Sequence, residues 1–273
     1  MGVLRFWVHI PSADAVGRYT LSMEVILMIG LAGLGAILAS FIGVLAERVN
    51  TGASFVTGRS HCNSCNRQLS ALDLVPVFSW TVSGGRCRTC KARIPYLYTV
   101  SEATLALLFV LAYMKFGLSP LLALFLAAVL VLAFIVFYDL RHTIVPPLAS
   151  GLLSVIAVAF ALVAYGEGQL LGAVFLSAGI IASGFLLLFL LSRGRAMGLG
   201  DSPVALSLSL IAGPAAFAGL LFSFWIGAII GICILVSRPK GHRMGIEVPF
   251  VPFLAVGYLL AFFTQWNPLT LGF

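Results

Sequence analysis

Asp139 and Asp201 are two of only nine acidic residues in a chain of 273. Asp139 ends a long apolar run, Leu118 to Tyr138, and Asp201 closes the tetrapeptide Gly198-Leu199-Gly200-Asp201. A carboxylate placed deep in a bilayer costs about 2.5–3.5 kcal/mol on insertion scales, so one kept near a membrane segment usually serves chemistry. Two acids on segments able to meet suggest a pair sharing one proton, of the aspartic-protease kind. Gly198 and Gly200 would let a backbone or an extended substrate approach closely. Each aspartate also has a plainer reading. Asp201, two residues before Pro203, could cap a helix N-terminus. Asp139 could pair with Arg141 or His142. Against that, a helix C-terminus disfavours an anion by about 0.3–1 kcal/mol, which makes Asp139 costly unless it is used.

Cys62-x-x-Cys65 and Cys87-x-x-Cys90, separated by 21 residues, form the second chemical signature. Two close pairs of thiolates match a tetrahedral zinc site of the structural type, with no position open for water. Two disulfides are the alternative, and a reducing compartment argues against them. A loop of roughly fifty residues with few large apolar side chains builds little core alone. Zinc would supply about 10–16 kcal/mol of apparent binding energy. His61 is adjacent to Cys62 and badly placed to replace it, and the remaining cysteine, Cys233, lies in an apolar span and reads as packing.

The elements that must position these groups are membrane helices. The chain is 61% hydrophobic and 9% charged, with a mean hydropathy of +1.10, whereas soluble domains carry about 25% charged residues. The fold class expected is an all-α polytopic membrane protein of about eight transmembrane helices with a small zinc-binding loop domain. The spans run approximately over 22–46, 97–116, 118–138, 145–165, 169–192, 203–213, 215–236 and 250–266, with Gly213-Pro214 breaking a run too long for one helix. Eight crossings put Arg48, Arg59, Arg67, Arg86, Arg88, Lys91, Arg93, Arg141, Arg193, Arg195, Arg238, Lys240 and Arg243 on one side. Arg5, Arg18 and Lys115 fall on the other. That asymmetry marks the rich side as cytoplasmic, with both termini outside and both aspartates at the inner face. It also accounts for the formal charge of +7 without nucleic acid as a partner.

Four regions follow: an N-terminal extension, 1–21, a first transmembrane helix, 22–46, a cytoplasmic zinc-binding loop domain, 47–96, and a transmembrane catalytic domain, 97–273. The apolar stretch after residue 21 is too long for a secretory signal and reads as an uncleaved span.

Together these residues resemble the type IV prepilin leader peptidases, aspartyl enzymes of the membrane. The resemblance runs from about Ala39 to Ala261. It rests on Ala39-Ser40-Phe41 with Arg48, and on the loop string Cys62-x-x-Cys65, Asp73-Leu74-Val75-Pro76-Val77-Phe78-Ser79-Trp80, Gly85-Arg86-Cys87-Arg88-x-Cys90 and Glu102. Asp139 with Pro146 is similar to the first catalytic motif, Gly198 to Asp201 to the second, and Val248-Pro249-Phe250-Val251-Pro252-Phe253 to a closing hairpin. The resemblance implies removal of the short basic leader from prepilins or pseudopilins at the inner membrane face, beside the hydrophobic helix that follows it. It implies Asp139 and Asp201 as catalytic acids, supported by Gly198, Gly200 and Glu102. It further implies N-methylation of the new terminus from S-adenosylmethionine, for which the sequence shows no Rossmann-type glycine fingerprint.

The chain departs from the family pattern at four places. Pro203 stands where a lysine is usual, Pro147 where Asp or Asn commonly follows the proline of the first motif, Gly43 for an asparagine, and Glu47 for an aromatic. A non-catalytic pilin-binding assembly protein of the same fold is therefore the second reading. An ion pathway ranks last, because the acids lie at the membrane edge rather than in mid-span.

Overall fold

The computed structural model describes residues 17–49, 60–166, 168–195, 197–237 and 248–266. Most of the expected N-terminal extension lies outside these residues, as do Arg5, Arg59, Arg238, Lys240 and Arg243 from the charge count. Among the described residues the structure is helical throughout its regular elements. The helices are α1 (Gly17–Arg48), α2 (Phe78–Ser83), α3 (Tyr96–Phe116), α4 (Pro120–His142) and α5 (Pro147–Tyr165). They continue with α6 (Gln169–Ser192), α7 (Asp201–Ala212), α8 (Ala216–Ser237) and α9 (Val251–Thr264).

All eight expected spans are present as helices, displaced by a few residues at most ends. Among the described residues, six stretches are long and apolar enough to cross a membrane, with α7 and α8 counted as one stretch and α9 falling short. The expected break is real: a 3-10 turn at Gly213–Ala215 separates α7 from α8. Tyr258 of α9 bonds Ser209 before that turn at 2.8 Å and packs on Gly219 after it.

The chain divides into two compact units, Met1–Leu122 and Ala123–Phe273. In the first, α1 packs along α3. The α1 residues Ala36, Ala39 and Ala46 are buried, as are Leu105, Leu108, Phe109 and Ala112 of α3. Small residues on one helix let the other approach closely, the usual means of helix association in a membrane. The excursion between α1 and α3 holds the cysteine loop.

In the second unit α7 is the innermost helix, packed by α5, α6 and α9. Nine of its twelve residues are buried, so lipid touches little of it. Its serines are satisfied by neighbours: Ser207 meets Ser154 of α5 at 2.9 Å, and Ser202 donates to the Ala182 carbonyl of α6 at 2.8 Å. Such interhelical bonds average about 0.6 kcal/mol in membranes. Phe125, Phe160 and Phe262 fill the apolar remainder, with Phe125 stacked on Phe262 at a centroid distance of 5.1 Å.

Candidate active site and metal centre

Asp139 lies in the last turn of α4 and Asp201 in the first turn of α7. Both are buried, at 4% and 6% exposure, although exposed acids are the rule. Asp201 is not the N-cap that its position before Pro203 suggested. Gly200 occupies the cap position, and the Asp201 carboxylate accepts the Gly198 N–H at 3.1 Å, closing the Gly-Leu-Gly-Asp loop on itself.

The costly position expected for Asp139 is relieved by a different helix. Its carboxylate accepts the Val251 N–H, the first of α9, at 3.2 Å. An anion at a helix N-terminus meets unsatisfied N–H groups and the positive end of the dipole. Asp201 also sits in a first turn. Each acid is thus seated at the start of a helix.

The loop after Asp139 and the loop before Asp201 touch. Gly200 abuts Val145, so closely that a β-carbon would overlap the valine side chain. Val145 belongs to the short connection between Asp139 and α5. Asp201 lies within Coulombic reach of Asp139. The touching loops bring the two acid-bearing helix ends to one region of the second unit.

Pro147 and Pro203 take positions that suit their chemistry. Pro147 is the first residue of α5 and Pro203 the third of α7. Backbone N–H groups have no helical partner there, so a proline costs nothing.

The cysteine loop forms two matching turns. The Asn66 N–H reaches the Cys62 carbonyl and the Lys91 N–H the Cys87 carbonyl, at 2.9 and 3.0 Å. Asn66 and Lys91 both adopt left-handed backbone, at φ 54° and 60°. Short antiparallel bridges, His61 with Gln68 and Arg86 with Arg93, close each turn. The four sulfurs lie within 4.8 Å of one another, and Cys62 and Cys90 are 3.8 Å apart. Four sulfurs placed tetrahedrally at about 2.3 Å from a zinc ion would be separated by about 3.8 Å. A disulfide needs about 2.05 Å, so these thiols are free. The donor set fits a closed tetrahedral metal site that would be held by Cys62, Cys65, Cys87 and Cys90.

Backbone N–H groups of Cys90 and Thr89 hold the Cys87 thiol down to about 6. The Ala92 N–H draws Cys90 downward, but burial and the adjoining cysteines push it up to about 11.

Sequence reasoning missed the clamp around this cluster. Asp73 accepts Arg67 at 2.9 Å and Arg88 at 3.3 Å, one arginine from each cysteine turn. The Ser70 N–H, first, and then its hydroxyl and Arg67 hold the Asp73 carboxyl below its usual range. Arg67 also interacts with the Cys87 sulfur. The only sequence signal was the presence of Asp73 in the long loop string.

Glu102, which the resemblance implies as a supporting residue, holds backbone of the cysteine loop. It is buried in α3 and accepts the Val77 N–H at 2.7 Å. Val77 has φ 61°, a left-handed conformation that costs a β-branched residue on the order of 1–3 kcal/mol. Cys233 is exposed on α8 rather than packed inside.

Residues 34–116 match the Bacterial Peptidase A24 N-terminal domain. The chain is similar to a prepilin leader peptidase/N-methyltransferase of Aeromonas salmonicida strain A449, 33% identical over 219 residues, covering 74% of this chain and 70% of the relative. A protein of the same name from Bacillus subtilis strain 168 is 28% identical over 231 residues, 84% of this chain and 90% of the relative. A type 4 prepilin-like proteins leader peptide-processing enzyme of Escherichia coli strain H10407 is 27% identical and covers 92% of this chain and 98% of the relative. No solved structure matches the chain significantly.

Proposed function

Because the chain belongs to the prepilin leader peptidase/N-methyltransferase family, we propose that it is a membrane aspartic endopeptidase that removes the short basic leader from type IV prepilins or pseudopilins. The observation that carries this reading is the burial of Asp139 and Asp201 at two helix ends whose adjoining loops meet in the Gly200–Val145 contact. One carboxylate takes a proton from water as the water oxygen attacks the scissile carbonyl carbon. The other donates its proton to the departing amide nitrogen as the C–N bond breaks. The products are a leader ending in a carboxylate and a pilin with a free amine. Gly198 places no side chain beside the Asp201 carboxylate, and Gly200 lets the loop close against Val145.

The cleavage site would face the cytoplasm, as the distribution of Lys and Arg supports. The cysteine loop would hold a structural zinc ion and take no part in hydrolysis. The released amine would then be methylated. S-adenosylmethionine would supply the methyl group, a reading that rests on family membership, with no residue of this chain assigned to the donor.

Co-expression with a prepilin, followed by N-terminal sequencing and intact mass of the pilin, tests these steps separately. A shortened pilin carrying one added methyl group supports both activities, and a shortened unmethylated one supports cleavage alone. An uncut prepilin retained by the protein in detergent would favour the assembly-protein reading.

A further inference from the structure

Arg86 and Arg93 oppose each other across the antiparallel bridge that closes the second cysteine turn. Like charges directly opposite are destabilising, so an anion bound between these two arginines would relieve their repulsion. Arg67 and Arg88, in the same loop, have a counter-charge in Asp73. Among the described residues no carboxylate pairs with Arg86 or Arg93, and both are exposed.

Both arginines line a cleft of about 440 Å³ with Trp80, Gly85, Ile94 and Tyr96. Its floor is fixed. The Trp80 indole N–H donates to the Ile94 carbonyl at 3.3 Å. The indole ring lies where any side chain on Gly85 would stand, at 2.8 Å from its β-carbon, and Gly85 has φ 66°. The location narrows the ligand. Tyr96 is the first residue of α3, a helix long and apolar enough to cross the bilayer. A Tyr at the end of such a helix, with the loop residue Trp80 bonded to the Ile94 carbonyl just before it, suits the headgroup level of a membrane. Two guanidinium forks there match the paired oxygens of a phosphate group.

We propose that Arg86 and Arg93 form a phosphate-binding cleft at the membrane surface whose ligand is the headgroup of an anionic phospholipid. The cleft shares no residue with the acid pair, and its failure would leave the cleavage reading untouched. An apolar rim supports a lipid over a soluble anion: Ile94 and Tyr96 are exposed beside the arginines, at 40% and 70%.

The test uses the full chain, zinc-loaded, in a neutral detergent. Native mass spectrometry would count molecules of phosphatidylglycerol, phosphatidylcholine and inorganic phosphate retained. The wild-type chain should retain phosphatidylglycerol over phosphatidylcholine at equal concentration. Arg86→Gln and Arg93→Gln should each lower retained phosphatidylglycerol by about fivefold. Arg195→Gln, a basic change outside the cleft, should leave it unchanged. Zinc content and the unfolding temperature of each variant report whether the loop stays folded. If they fall, the wild-type preference between the two lipids and its loss at high salt decide the question. Equal retention of both lipids, undiminished phosphatidylglycerol in a folded Arg86→Gln, Arg93→Gln double variant, or displacement of the lipid by inorganic phosphate would each overturn the proposal.

Discussion

Gly200 stands against Val145 with no room for a β-carbon between them, and this contact joins the loop before Asp201 to the loop after Asp139. Gly200→Ala should therefore destabilise the protein by about 1–3 kcal/mol through overpacking. Shortening the opposing side chain should restore part of the loss. Thermal unfolding in detergent of Gly200→Ala, Val145→Ala and the double variant checks this. A double variant no more stable than Gly200→Ala would show that the contact is not the cause.

Asp139→Asn and Asp201→Asn keep an oxygen able to accept the Val251 and Gly198 N–H groups. Both variants should insert and unfold much as the parent does. Each should lower the cleavage rate by at least about 100-fold, the lower range for losing a positioned acid or base. The readout is the fraction of co-expressed prepilin that is shortened. A normal rate in either variant would remove that residue from the chemistry.

Cys62→Ser should reduce bound zinc below one ion per chain, as measured by elemental analysis. Asp73→Asn keeps all four thiols but releases Arg67 and Arg88 from their shared partner. It should speed zinc transfer to a chelator by about tenfold, in the range seen when supporting shells are removed. The direction with pH follows from the lowered Asp73 carboxyl. A depressed native value contributes stability above the ordinary value of 3.8 and loses it as pH falls through the native one. The clamp is thus complete at neutral pH.

Glu102 offers a clean separation of support from chemistry. Glu102→Ala leaves the Val77 N–H without its acceptor and should cost about 1–3 kcal/mol. Glu102→Gln keeps an acceptor oxygen and should remain close to the parent in both stability and cleavage. A well-folded Glu102→Gln that no longer cuts would assign the carboxylate a part in the reaction itself.

The helices were legible because apolar runs near twenty residues have few other uses, and because Gly213-Pro214 interrupts one too long for a single helix. The cysteine cluster was equally legible, since paired C-x-x-C spacing encodes its own turn geometry. The support for Asp139 was not. Val251 is 112 residues away, and a backbone N–H leaves no mark on residue type. The Asp73 clamp escaped for a related reason: the arginines around it read as positive-inside charge, and only the fold decides which two find a carboxylate. Val77 gave no warning of left-handed backbone, because nothing about valine favours it.

The α7 helix, twelve residues long, extends about 18 Å at 1.5 Å per residue, well short of a hydrocarbon layer about 30 Å thick. It ends at the 3-10 turn, where the Tyr165 hydroxyl donates to the Ile211 carbonyl. A segment so short and so sheltered is insensitive to hydrophobic mismatch, because its neighbours and not the acyl chains fix its depth. Thinner or thicker bilayers would tilt the outer helices while leaving Asp201 at a constant level, so one chain could work unchanged across membranes of differing composition.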